Sequence, residues 1–234
     1  MSGSARSEIF SRLREASCGA TEEDIAQELM SIGNAPAALH PTPEMCQSFI
    51  INVLKNHGSV DCVNNRSEAV QAIAQYLYTH FHNYRLVAGN DSRLAAMPWR
   101  DAGVLPRFGS LEPSEPVALS FARIGVVETG AVVTWTSKAN PAANNFLPEH
   151  HIVLVDSTDL VPTMEKAWED INLAMEKTGR PRGIHFIAGP SSTADIEGEL
   201  IYGAHGPQRW HVVLLGDVPL AAQDLARAAT KKQH

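Results

Sequence analysis

From about residue 43 to residue 217 the chain alternates short, mostly apolar runs with stretches whose apolar positions recur every three or four residues. The first kind of pattern marks strands and the second marks helices with one buried face. Strands are predicted at Ser59–Val63, Arg85–Ala88, Ile152–Val155, Ile184–Ala188 and His211–Leu215. Two further apolar runs lie within Gly125–Trp135. Helical spacing links Met45, Phe49, Ile50, Val53 and Leu54. It also links Val70, Ile73, Ala74, Leu77 and Phe81 within about 67–81, and Met164, Trp168, Ile171 and Met175 within about 162–177. Strands alternating with helices in this way predict an α/β fold with a mostly parallel sheet and helices on both faces. Residues 101–116, rich in Gly and Pro around one short apolar piece, are expected to be loop.

The flanks differ from this body. Residues 1–41 are expected to be a peripheral helical arm, with one helical segment over Glu8–Ala16. A second helix is opened by Thr21 and Asp24, which have the spacing of a capping box. Gly33–Pro36 and His40–Pro43 then form a Pro-rich connector. Residues 42–219 make the single α/β domain, and residues 220–234 a short helical tail with a basic end.

The most informative stretch is Gly183–Asp217. An apolar run, Ile184–Ala188, leads into the turn Gly189-Pro190-Ser191-Ser192-Thr193. Ser192 and Asp195 have the spacing of an N-terminal cap, which predicts a helix from Asp195 to about Tyr202, stopped by Gly203. The strand His211–Leu215 follows. In an open α/β sheet the turns after strands line the ligand crevice, which makes this strand–turn–helix–strand unit the leading site candidate.

Composition narrows the function classes. The 234 residues carry a formal net charge of −7, so nucleic acid and anionic membrane surfaces are not expected partners. No apolar run approaches the roughly 20 residues needed for a membrane span. With no signal-peptide core at Met1–Ser17, a cytoplasmic location is expected. Cys18, Cys46 and Cys62 stand alone, a poor basis for a disulfide framework, a zinc site or an iron–sulfur cluster. No cofactor and no metal are expected in this chain.

Three sets of residues suggest chemistry. The Gly189–Thr193 turn, at a predicted helix N-terminus, has the character of an anion cradle. Asp195 and Glu197 would oppose a phosphate there, and a capped structural turn is the competing reading. His150, His151, His205 and His211 invite a metal reading. However, adjacent histidines on a strand face opposite ways, and the His205–His211 spacing fits no familiar zinc pattern. His205 competes as a site residue with a plain loop histidine. Glu128 interrupts an otherwise buried strand pattern in Val127-Glu128-Thr129-Gly130-Ala131. It is therefore either paired or exposed at a sharp turn. Nucleophile-elbow, dinucleotide-binding and zinc-protease motifs are absent from the sequence.

The run G-P-S-S-T-A-D-I-E-G-E-L-I-Y-G-A-H-G-P from Gly189 to Pro207 resembles the signature of the LUD-domain family of lactate utilization proteins. Glu128-Thr129-Gly130 matches a second family motif, and Leu147-Pro148 with His151 before a strand matches a third. The short chain without cysteine clusters resembles the lactate utilization protein C type rather than the longer iron–sulfur members. Ser120–Gly125 and the first 40 residues are less like the family.

The resemblance implies a fold like that of the sugar-phosphate isomerase and CoA-transferase superfamily. It also implies a role in oxidising L-lactate to pyruvate beside iron–sulfur lactate utilization proteins. On that reading the chain is a non-redox component whose ligand is a small carboxylate or a phosphorylated molecule. The alternative is a freestanding enzyme, like a CoA-transferase or a sugar-phosphate isomerase, with Glu128 as nucleophile or base. The expected site residues are Glu128, Thr129, Gly130, His151, Gly189, Pro190, Ser191, Ser192, Thr193, Asp195, His205 and Gly206.

Overall fold

The structure is a computed structural model that describes residues 2–16, 19–32, 44–194 and 200–230. Contacts divide the chain into two units, residues 1–38 and 39–234. In the first, α1 spans Ser2–Ala16 and α2 spans Glu22–Ser31. The predicted capping box is formed: the Asp24 amide donates to the Thr21 hydroxyl, and the Thr21 amide donates to the Asp24 carboxylate. The Pro-rich connector and Cys18 lie outside the described residues.

In the second unit, α3 (Met45–Lys55), β1 (Ser59–Val63), α4 (Arg66–Phe81) and β2 (Arg85–Ala88) follow the predicted ranges closely. Next come α5 (Ser92–Ala95), β3 (Leu105–Phe108), β4 (Val117–Phe121), β5 (Ile124–Val126) and β6 (Ala131–Trp135). The chain continues through α6 (Ala143–Phe146), β7 (His150–Asp156), β8 (Leu160–Val161), α7 (Met164–Thr178) and β9 (Ile184–Ile187). It ends with β10 (Ser192–Ala194), β11 (Leu200–Tyr202), β12 (Arg209–Leu215) and α8 (Leu220–Thr230).

The main sheet has the order β1-β12-β7-β4-β2-β3, and all of its pairs are parallel. This is the predicted α/β class. Successive side chains of its strands enter opposite layers, as period-two geometry requires. Ile152 and Leu154 pack with α4 residues such as Val70, Ile73 and Leu77. Val153 and Val155 pack on the other face with Phe49, Ile50 and Val53 of α3 and with Val127, Val132 and Leu160. A second sheet, β8-β5-β6-β9, thus lies on that side of the main sheet and carries α7 beyond it, with Ala167 and Ile171 buried against Val126 and Val133.

The structure departs from the sequence-based expectation in four places. Leu105–Phe108, within the segment expected to be loop, is the edge strand β3, paired in parallel with β2. Ile184–Ile187 is not a strand of the parallel sheet. It pairs antiparallel with β6, and its residues are only half-buried. The helix predicted from Asp195 to Tyr202 is replaced at its end by a strand, because β10 and β11 form an antiparallel hairpin that pairs Ser192 with Tyr202. Asp195 and Glu197 lie outside the described residues. Finally, β4 is a central strand buried at every position, within a segment that carried no predicted element. Its Ser120 breaks the apolar run, and the partner that satisfies Ser120 comes from β7.

Candidate functional site

Two of the motif segments meet at the C-terminal end of α3. Residues 127–130 form the turn between β5 and β6, which pair antiparallel. Asn52 Nδ2 donates to the carbonyl oxygens of Val127 and Glu128 at 2.8 and 3.1 Å. One helical turn later, Asn56 Nδ2 donates to the Thr129 carbonyl at 2.7 Å. Two asparagines four residues apart share a helix face, which is why one helix end can hold three successive carbonyls. The turn comes so close that a Cβ on Gly130, whose φ is +67°, would lie 2.6 Å from the α3 backbone. Because β6 pairs with β9, the Gly189 turn reaches the same place. A Cβ on Gly189, φ +99°, would lie 2.3 Å from the Asn56 carbonyl oxygen.

The signature loop closes on itself beside these turns. The Ser191 amide donates to the Pro207 carbonyl, and the Gly203 amide donates to the Ser191 carbonyl. Gly206 packs against Ser191 and the Phe146 carbonyl. Tyr202, at the base of the hairpin, makes an edge contact with the His57 ring just after α3, at 5.7 Å.

The predicted site residues therefore separate into groups. Glu128, Thr129, Gly130, Gly189, Pro190, Ser191 and Gly206 lie in this cluster of turns. Ser192 and Thr193 are exposed on β10, and His205 is exposed on its loop. Ser192–Ala194 is a strand, so Ser192 does not cap a helix among the described residues.

His151 lies in a different environment. It is fully buried on the α3 side of the main sheet, and its Nε2 shares a 2.7 Å hydrogen bond with the Ser120 hydroxyl. Its Nδ1 has no partner, and burial pulls its pKa down to about 3. The expectation that adjacent histidines diverge holds. His150 points to the α4 side, where Nδ1 meets the Tyr76 hydroxyl at 3.0 Å. Burial, aided by the charges of His80, Arg209 and His211, lowers its pKa to about 4.

Glu128 is half-buried, at a sharp turn and hydrogen-bonded at once. Its Oε1 accepts from the Met164 amide at 2.6 Å, so the carboxylate caps the first turn of α7. Replacing Glu128 by Gln should keep the acceptor and cost under about 1 kcal/mol, whereas Glu128→Ala should cost about 1–3 kcal/mol. Urea unfolding of both variants measures this difference. Equal losses would mean that the contact with Met164 contributes nothing.

Residues 116–215 match the family described as LUD domain. Over this segment the chain resembles the LUD-domain family. A relative from an Exiguobacterium species, named lactate utilization protein C, is 27% identical over 184 residues, covering 75% of this chain and 79% of its own length. The Bacillus subtilis protein of the same name is 28% identical over 194 residues, covering 72% of this chain and 79% of its own length. Its namesake in Geobacillus kaustophilus is 37% identical over 102 residues, 43% of this chain and 42% of its own. The solved structure of a DUF162 family protein from Deinococcus radiodurans superposes with a TM-score of 0.59 at 21% identity, over 75% of this chain and all of that one. That likeness concerns the fold alone.

The LUD match begins at residue 116, so Asn52 and Asn56 stand outside it. Sequence reasoning missed both. The available signal was a pair of amides one turn apart at the end of an otherwise apolar helix stripe.

Proposed function

We propose that this protein is a component of an L-lactate utilization system. Lactate loses two electrons and two protons to become pyruvate, and iron–sulfur partner proteins accept the electrons. The observation that carries this reading is the set of relatives named lactate utilization protein C, which align along nearly four-fifths of their own length. The gathering of two of the family motifs around the end of α3 supports it, because one shared architecture then holds both. The chain contributes binding and assembly, and it works in the cytoplasm.

The test is growth on L-lactate as sole carbon source in a strain lacking the gene. A restored copy should restore growth, and the tagged protein should bring down partners with iron–sulfur absorbance. Normal growth of the deletion strain on lactate would overturn the reading.

A further inference from the structure

On the α4 side of the main sheet, where β1, β12 and β7 begin, a cleft of about 270 Å³ opens. Parallel register sets Ser59 of β1 beside His211 of β12, and residues two apart share a face. Ser59, Asp61, Arg209 and His211 therefore all project toward α4, whose Tyr76 and His80 help to line the cleft. The Ser59 hydroxyl is hydrogen-bonded to His211 Nδ1 at 2.8 Å, and Asp61 Oδ2 stands 3.3 Å from His211 Nε2. The Tyr76 ring stacks on the imidazole at 4.4 Å. The His211 ring is thus hydrogen-bonded at Nδ1, faced by a carboxylate at Nε2 and stacked on one side. Burial pushes the Asp61 carboxyl up, but the hydrogen bond and charge of His211 outweigh burial and leave it below the ordinary value. Arg209 is exposed at the rim and has no ion-pair partner among the described residues.

The signature loop builds this rim. The Gln208 and Arg209 amides both donate to the Glu149 carbonyl, and Gly203 packs against Gln208. The family motif and the cleft are therefore one construction.

We propose that the cleft binds a small carboxylate carrying a hydroxyl or oxo group on the adjacent carbon. The Arg209 guanidinium takes the carboxylate, as its planar fork suits. The Ser59 hydroxyl, held by His211, takes the neighbouring oxygen. The volume lies just below the usual range of about 300–1,000 Å³ for small-molecule sites and leaves no room for a nucleotide-sized molecule. Charge separates carboxylate from phosphate. Both α3 and α4 end near this edge, so their carbonyl ends, together with Asp61, oppose a dianion that has one arginine to meet it. A singly charged acid with a hydroxyl needs one cation and one hydrogen-bonding group, which is what the cleft offers.

The choice of L-lactate and pyruvate as probes rests on the function proposed above. Calorimetric titration of the full chain tests the site, with propionate and inorganic phosphate as comparisons. L-lactate or pyruvate should saturate, with propionate weaker by about tenfold for lack of the second oxygen. Arg209→Gln and the milder Ser59→Ala should each weaken binding by about tenfold or more, with unchanged circular dichroism. Arg123→Gln, at the far end of the sheet, should leave affinity unchanged.

Three outcomes would overturn the inference: no saturation by either acid, equal affinity in Arg209→Gln, or phosphate binding more tightly than both. Growth restored by the wild-type chain alongside flat titrations would remove the cleft and leave the lactate role standing. Saturable binding in a chain dispensable for growth on lactate would do the reverse.

Discussion

Between pH 6.5 and pH 4 the folding stability should fall by about 2.7 kcal/mol per pH unit around pH 5, because unfolding there takes up two protons. His150 and His151 are the source, with pKa values lowered to about 4 and about 3 from an ordinary 6.5. Burial is the main cause for His150 and the whole cause for His151. Both are neutral in the folded chain at pH 5, and both are protonated once it unfolds. Their stabilising effect is complete above pH 6.5 and is lost as pH falls toward their folded values. Fully lost, it amounts to about 3 kcal/mol for His150 and about 5 kcal/mol for His151, which together rival the 5–15 kcal/mol stability of an ordinary domain. Urea unfolding at a series of pH values reads the slope directly. His150→Phe, set among Tyr76 and Phe81, should halve it to about 1.4 kcal/mol per unit, whatever the variant costs at pH 7. A wild-type slope no steeper than that of His150→Phe would show that His150 titrates normally in the fold.

Replacing Gly130 by Ala should cost about 3–5 kcal/mol, far more than its backbone angle alone explains. A left-handed φ costs a non-glycine residue about 1–2 kcal/mol. The rest is collision, because the added methyl would sit 2.6 Å from the Asn52 carbonyl carbon and the Val53 amide nitrogen. Neither atom can move without shifting α3, whose Phe49, Ile50 and Val53 are fully buried. The turn must retreat instead, stretching the hydrogen bonds from Asn52 and Asn56 that hold it. Gly103 is the control, with φ +68° and open space around its missing side chain. Gly103→Ala should cost only about 1–2 kcal/mol. Thermal or urea unfolding of the two variants separates the effects. Equal losses would mean that the close approach of the 127–130 turn to α3 is not a constraint on folding.

The elements legible in the sequence were those whose evidence lies within one stretch of chain. The strand at Ser59–Val63 and the strand at Arg85–Ala88 were predicted to the residue. The α4 helix was placed to within one residue, and the Thr21–Asp24 cap was read from its spacing. Periodicity reports which face is buried, and a capping pair needs only its neighbours, so local sequence suffices. The family motifs likewise pointed to Glu128–Gly130 and Gly189–Ser191 before any geometry was known.

Where strand identity depended on a distant partner, local sequence misled. Ile184–Ile187 has the apolar look of a parallel core strand, yet it pairs antiparallel with β6 in the second sheet. Ser192–Tyr202 has helix-capping spacing, yet its two ends form a hairpin. Val117–Phe121 went unread because Ser120 breaks its apolar run, and the polar partner that resolves the break is His151 on β7.

The sequence by itself therefore determined the α/β class, most elements and the two turns that meet at α3. The tertiary structure alone decided the docking of Asn52 and Asn56 onto the Glu128 turn and the grouping of Ser59, Asp61, Arg209 and His211 in one cleft. Ser59 and His211 are 152 positions apart and meet only because β1 and β12 are neighbours in register. Strand order is settled by how whole layers bury their apolar faces together, and no local pattern of residues encodes it.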